Sequence, residues 1–236
     1  MNTVRRKAYL ESMQIDSWTL RAAPARTLPA TPATPATPAA PATPAARFDP
    51  ARADWRELRT QVAACTRCAL SATRTQTVFG VGDCHAEWLI VGEAPGAEED
   101  RQGEPFVGRA GQLLTAMLRA IGLAREQVYI ANVLKCRPHG NRDPLQSEVV
   151  ECLPYLRRQI ELLQPKIMLA VGRVAAQSLL QSTLPLAQLR GRVHHFGSVR
   201  VPLVVTYHPA YLLRTPADKR KSWEDLRFAR EVLARV

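Results

Sequence analysis

Four cysteines of five, one acidic glycine-rich loop and two polar residues at strand ends are where this sequence can do chemistry. Cys65 and Cys68 form a Cys-x-x-Cys pair, Cys136 follows far downstream, and Cys152 comes sixteen residues after that. All-thiolate sets of this kind suit zinc or an iron–sulfur cluster. The spacing is not that of a zinc ribbon, so it does not choose between the metals. Cys84 stands apart and reads as a free thiol. An odd cysteine count argues against a disulfide framework.

The loop is GEAPGAEEDRQGEPFVG, residues 92–108, with four glycines and five carboxylates. It lacks both the G-x-G-x-x-G and the Gly-Lys-Ser/Thr patterns of phosphate cradles. Its acids (Glu93, Glu98, Glu99, Asp100 and Glu104) would repel a phosphate. Glycine and proline after an apolar strand instead read as a shaped pocket wall for a neutral ligand such as a base. Phe106, between Pro105 and Gly108, is either a core residue or a stacking platform for a planar base. Asn132 ends an apolar strand, and its amide can donate and accept at once, as a nucleobase edge requires. The alternative is an Asn that satisfies loop backbone. His208, in YHPAYLLR, is either structural or a hydrogen-bond donor or acid/base.

Alternating elements position these residues. Apolar runs at 88–92, 128–134, 166–172 and 199–209 read as strands. Leu113, Leu114, Met117, Leu118 and Ile121 mark one face of a helix that Gly122 can end. Val149, Leu153, Leu156, Ile160 and Leu163 mark another, stopped before Pro165. Pro154 predicts that this helix starts late or kinks. A last helix is expected over about 222–235. The pattern predicts a three-layer α/β/α sandwich around a central, mostly parallel four-stranded sheet. In open sheets of this kind ligands bind outside the carboxyl ends of the strands, which would bring Glu93, Asn132 and His208 to one rim.

The chain has 236 residues and a formal net charge of +11, of which +3 falls in residues 1–50 and +8 in the rest. A basic folded domain suggests a polyanionic partner, nucleic acid first. No apolar run approaches the roughly 20 residues of a membrane helix, and no apolar segment follows the basic residues near the start. A cytoplasmic, nucleoid-associated protein with no membrane contact is therefore expected. Prolines fall at every third position from 29 to 44, matching the roughly three residues per turn of polyproline II. Residues 1–28 thus read as an N-terminal extension, 29–46 as a Pro/Ala/Thr-rich linker and 50–236 as the domain. Within the extension, Tyr9, Leu10, Met13 and Leu20 fall loosely on one helical face. They suggest a short helix that docks to another protein, or else a loosely ordered tail.

Taken together, GEAPGAEEDRQGEPFVGRAGQLL, NVLKCRPHGNRDP and HPAYLLR resemble the family 4 uracil-DNA glycosylases, bacterial and archaeal iron–sulfur enzymes. The resemblance runs from about Cys65 to the C-terminal helix. It implies a monofunctional hydrolase that flips uracil out of single- or double-stranded DNA and leaves an abasic site in base-excision repair. It also implies a [4Fe–4S] cluster on Cys65, Cys68, Cys136 and Cys152. Glu93, with Ala94 and Pro95, would contact uracil and place the attacking water. Phe106 would stack on the flipped base and Asn132 would read its edge. Glu99 would crowd the thymine methyl position, His208 would bond uracil O2, and Leu212 would wedge into the vacated stack. The sequence departs from relatives at Ala94, where they carry a water-activating aspartate, which leaves Glu93 as its substitute. A related branch bonds covalently to DNA through a histidine in a basic insertion. Here RPHGNRDPLQSE is short and lacks that insertion around His139, so turnover is expected. The competing readings are an iron–sulfur DNA-binding or redox-sensing module without base release, and a hydrolase of free nucleotides.

Overall fold

The computed structural model describes residues 50–236. The expected N-terminal extension and proline linker lie outside the described residues. The sheet has six strands: β1 (Val81–Gly82), β2 (Trp88–Gly92), β3 (Tyr129–Asn132), β4 (Ile167–Val171), β5 (His194–Phe196) and β6 (Val201–Thr206), in the order β1-β3-β2-β4-β6-β5. The four expected strands form its parallel centre. The expected count of four is corrected by two antiparallel edges, β1 on β3 and β5 on β6. β1 is two residues long and β5 reads HHF, so neither carries an apolar period that a sequence can reveal.

The central strands are buried on both sides, because alternate side chains serve two cores. Leu89, Val91, Tyr129, Ala131, Met168, Ala170, Leu203 and Val205 face one of them. Ile90, Ile130, Leu169, Val171 and Val204 face the other. The helices supply the covers: α1 (Trp55–Ala63), α2 (Ala97–Gln102), α3 (Arg109–Ala120), α4 (Gln146–Leu163), α5 (Arg173–Leu180), α6 (Leu186–Leu189), α7 (Pro209–Arg214) and α8 (Lys219–Leu233). Val62, Leu156 and Leu179 from α1, α4 and α5 pack on the first face. Leu118, Leu212 and Leu226 from α3, α7 and α8 pack on the second. The result is the expected α/β/α sandwich. Among the described residues no helix is long and apolar enough to cross a membrane.

Helix α4 differs from expectation. It starts at Gln146 and runs through Pro154 for 18 residues. Its start is fixed by Glu148, whose carboxylate accepts from Leu145 N at 2.9 Å. A proline at this position leaves the carbonyl four residues back, that of Val150, without its helical donor. Val150 is solvent-exposed, so water can satisfy that carbonyl and the helix continues.

The chain order creates a switch point at β2. From β2 the chain passes to β3 on one side, and from β3 it crosses back to β4 on the other. Crevices at such points, beyond the carboxyl ends of the strands, are where open α/β sheets bind ligands.

Candidate active site

The loop after β2 is built around Glu99. Its Oε2 accepts from Gly96 N at 3.1 Å, and its Oε1 accepts from Val107 N at 3.0 Å and Gly108 N at 3.2 Å. One carboxylate thereby ties the N-terminus of α2 to the N-terminus of α3, where an anion is favoured by unpaired backbone donors. The turn in between holds Phe106 at a φ of 54°, a left-handed conformation uncommon for an aromatic residue. A Cβ at Gly111 would run into the Phe106 carbonyl and stand 2.8 Å from its Cα, so α3 must pass this turn with no side chain. Gly92 has the same logic on the ring side. A Cβ there would lie 2.6 Å from Phe106 Cζ and collide with the Asn132 side chain.

Asn132 closes β3 and is 2% exposed, yet its Oδ1 has no hydrogen-bond partner among the described residues. An unsatisfied buried acceptor costs about 1–3 kcal/mol. Such a group lining a pocket can accept a hydrogen bond from a ligand N–H. His208 follows β6 and caps α7, with Nδ1 accepting from Ala210 N at 3.1 Å. That bond assigns the proton to Nε2. Burial, reinforced by Arg214, pushes the imidazole down to about 4, against the opposing pull of Glu99. The ring is therefore neutral at physiological pH and presents an N–H donor. Phe106 lies beside it, with ring centroids 5.6 Å apart and planes inclined by 31°. Gly172, at the end of β4, lets His208 approach: a Cβ there would meet the His208 Cβ at 3.0 Å.

These groups share one cavity of about 480 Å³, lined by Glu93, Ala94, Pro95, Glu99, Phe106, Asn132 and His208 together with Pro138, Asn141, Arg142, Tyr211 and Arg214. Its size is that of a small-molecule site. Burial raises the Glu93 carboxyl to about 7; Asp143 adds to the rise and Arg173 opposes it. The same two neighbours pair with each other. Arg142 is held by both oxygens of the buried Glu148. The sequence reading missed Arg142, Asn141, Tyr211 and Arg214 because they lie on loops and a short helix without periodicity; only their closeness to NVLK and HPA pointed to them.

Leu212, the expected wedge, sits differently from its neighbour. It is 1% exposed and packs in the core of the second face, so in this structure it is not placed to reach into DNA. Its neighbour Leu213 is 37% exposed. On a helix one step rotates the side chain by about 100°, which turns one leucine of the pair inward and the other outward.

Cys65, Cys68, Cys136 and Cys152 line a second pocket, together with Arg67, Arg74, Lys135 and Tyr155, and Cys84 is not among them. Arg74 Nη1 donates to Cys136 Sγ at 3.1 Å, and the Lys135 backbone N donates to Cys152 Sγ at 3.2 Å. Burial pushes the Cys152 thiol up to about 12 while Lys135 opposes the rise. Burial likewise raises Cys136, against Arg74. Four thiols with N–H donors and cations beside them are a surrounding for thiolates, provided that a metal displaces their protons. No group of three or more His, Cys, Asp or Glu side chains among the described residues is gathered to hold a metal ion.

The three-layer sandwich with a small-molecule cavity at its switch point places the protein among the open-sheet α/β enzymes and ligand binders. Comparison with known proteins narrows this. Residues 79–227 match the model of the uracil DNA glycosylase superfamily. The chain is 43% identical over 173 residues to the type-4 uracil-DNA glycosylase of Archaeoglobus fulgidus, covering 71% of this chain and 87% of that protein. It is 40% identical over 177 residues to the type-4 uracil-DNA glycosylase of Thermotoga maritima, covering 73% and 91%. A type-5 uracil-DNA glycosylase of Pyrobaculum aerophilum matches at 32% over 148 residues, 56% of this chain and 64% of that protein. The chain belongs to the uracil-DNA glycosylase superfamily, in its type-4 family.

Proposed function

We propose that the protein is a monofunctional uracil-DNA glycosylase that hydrolyses the N-glycosidic bond of uracil in single- and double-stranded DNA and leaves an abasic site for base-excision repair. The observation that carries the reading is the cavity itself, where an open buried acceptor on Asn132, a neutral imidazole N–H on His208 and the Phe106 ring converge. Uracil differs from cytosine in carrying a hydrogen on N3. The Asn132 Oδ1 accepts that hydrogen and leaves the N3 lone pair of cytosine without a donor.

The glycosidic bond is hidden in a duplex, so the base is flipped at a cost of a few kcal/mol, least where it is mispaired or already single-stranded. Phe106 stacks on it, and Ala94 and Pro95 form the wall. As the bond breaks, negative charge gathers on uracil O2 and positive charge on the sugar. His208 Nε2–H donates to O2, and one such preorganised donor contributes roughly 3 kcal/mol. A neutral imidazole serves here without any proton leaving it. Glu93 orients the attacking water and, as the carboxylate above pH about 7, takes its proton. Glu99 excludes thymine by holding the wall in place, since both its oxygens are already committed to backbone donors. Leu213, the outward leucine of α7, fills the space that the base leaves in the stack.

Cys65, Cys68, Cys136 and Cys152 are the residues that would hold a [4Fe–4S] cluster. A set of four cysteine thiolates is the ligand set that an iron–sulfur cluster takes. Such a cluster would cross-link the 65–68 segment to Cys136 and α4. Residues 50–236 constitute the glycosylase domain in this reading. Incubation with uracil-containing single- and double-stranded DNA followed by alkali tests the function. Strand scission at uracil is expected, and its absence for folded, iron-loaded protein refutes the proposal.

A further inference from the structure

The β1–β3 ladder stops one rung short of the pocket. Its register pairs Gly82 with Tyr129 and Val81 with Ile130. Continued antiparallel, the next rung on the same side would pair Phe79 with Asn132, but the strand has ended. On the other side of β3 the chain stays paired: Val133 N donates to Gly92 O and Leu134 N to Glu93 O, both at 3.0 Å. The Asn132 carbonyl therefore points to the side where no strand N–H is available. Two side chains replace the missing rung. Lys135 Nζ donates to Asn132 O at 2.9 Å and to Gln159 Oε1 at 2.6 Å. Gln159 Nε2 donates to Phe79 O at 3.0 Å and to Tyr129 Oη at 3.2 Å.

Lys135 is 1% exposed and Gln159 is fully buried. Beyond the two acceptors of its ammonium, its backbone N bonds Cys152 Sγ and its carbonyl accepts from Val78 N at 2.8 Å. A buried lysine is among the costliest residues to place in a core unless it is fully hydrogen-bonded. An apolar residue would fill the same space; besides a charge beside the cysteine pocket, the ammonium supplies the bond to the last carbonyl of β3. That carbonyl belongs to the residue whose Oδ1 is held open in the cavity.

We infer that Lys135, bridged through Gln159, is a positioning residue for uracil recognition: it fixes the Asn132 peptide where the sheet ends and so sets where the Asn132 amide meets the base. The inference rests on the uracil-glycosylase reading. It assigns Lys135 no contact with the base, the sugar or the water.

The test uses full-length protein, with K135M removing the donor at similar volume, K135Q restoring a shorter donor, and both placed also in an N132A background. N132A keeps the Asn132 carbonyl and deletes the amide, so an effect transmitted through the amide disappears there. A displacement of about 1 Å costs on the order of 10²-fold in rate. K135M is expected to lower kcat/KM on uracil-containing single strands about 10- to 100-fold alone and by less than about threefold in N132A, with partial recovery in K135Q. A second readout is affinity for DNA carrying a non-cleavable uracil nucleotide. K135M should weaken it about tenfold while binding to the same DNA with thymine is unchanged. K135M within about threefold of the parent, or an equal loss with and without the Asn132 amide, overturns the inference. If K135M does not fold, Q159M, which removes the other end of the bridge, decides by the same criteria. Parent protein that releases no uracil refutes the functional reading instead.

Discussion

Glu93→Gln separates the stability cost of the site from its catalytic use. In the folded protein the Glu93 carboxyl is raised to about 7 from its ordinary 4.5, chiefly by burial. At about 1.4 kcal/mol per pH unit, that gap corresponds to about 3 kcal/mol. The side chain partly faces solvent, and screening reduces the figure to about 2–3 kcal/mol. Because the folded value is the higher one, the native state holds a proton between pH 4.5 and 7 that the unfolded chain has released. Stability from this group is thus full below pH 4.5 and is lost as the pH rises to about 7. Glutamine keeps the shape and cannot ionise. For a domain of this size 1 kcal/mol shifts Tm by about 2–4 °C. E93Q should melt about 4–12 °C above the parent at pH 8 and converge with it near pH 4.5, in scans at fixed salt. The same variant should lose about 10²- to 10⁴-fold in single-turnover rate, together with the rise of the parent rate through pH about 7. Equal melting temperatures at pH 8, or a gain independent of pH, would refute the argument that burial of this carboxylate is what raises it.

Other outcomes follow from the same geometry. His208→Ala should slow uracil release by about 10²- to 10³-fold, and the parent should show no His208 limb between pH 5 and 9, since that ring charges only at about 4; single-turnover profiles check both. Leu212→Ala should lower unfolding stability by about 2–5 kcal/mol. Leu213→Ala should change it by no more than about 0.5 kcal/mol while slowing release from paired duplex more than from single strands. Glu99→Ala strips three backbone N–H groups of their acceptor and should depress stability and uracil release while raising thymine release relative to uracil; unchanged stability and discrimination would refute the wall-holding role. Purified protein should carry iron and absorb near ~400 nm, with loss of both in Cys152→Ser; stoichiometric zinc without iron would refute the cluster.

The central strands and the three long helices were legible because their apolar spacing is set by burial on two faces. Glu93, Asn132 and His208 followed from topology, since each ends a strand that the period locates. What stayed hidden depends on pairings that no local pattern carries. The two-residue β1 and the HHF edge have no period. Leu212 and Leu213 are the same residue type side by side, and only the packing of α7 decides which turns inward. Glu99 was visible as an acid of the loop, but its grip on Gly96, Val107 and Gly108 reaches up to nine positions along the chain. Pro154 misled because the helix rule counts the lost bond and cannot know that the Val150 carbonyl is on the wet side.

Helix α4 carries Glu148, Cys152, Tyr155 and Gln159 at spacings of four, three and four, a single inward stripe about 16 Å long at 1.5 Å per residue. Along that stripe the rod holds Arg142 at the cavity, a thiol at the cysteine pocket, and the glutamine beneath the last carbonyl of β3. Its one interrupted bond, at Pro154, faces water. A rod shared in this way gives the three places no means of loosening separately. Amide exchange along its middle turns should therefore report only the opening of the whole domain, and heating should take the enzyme from intact to unfolded with no form that keeps the cavity after the cysteine pocket has gone.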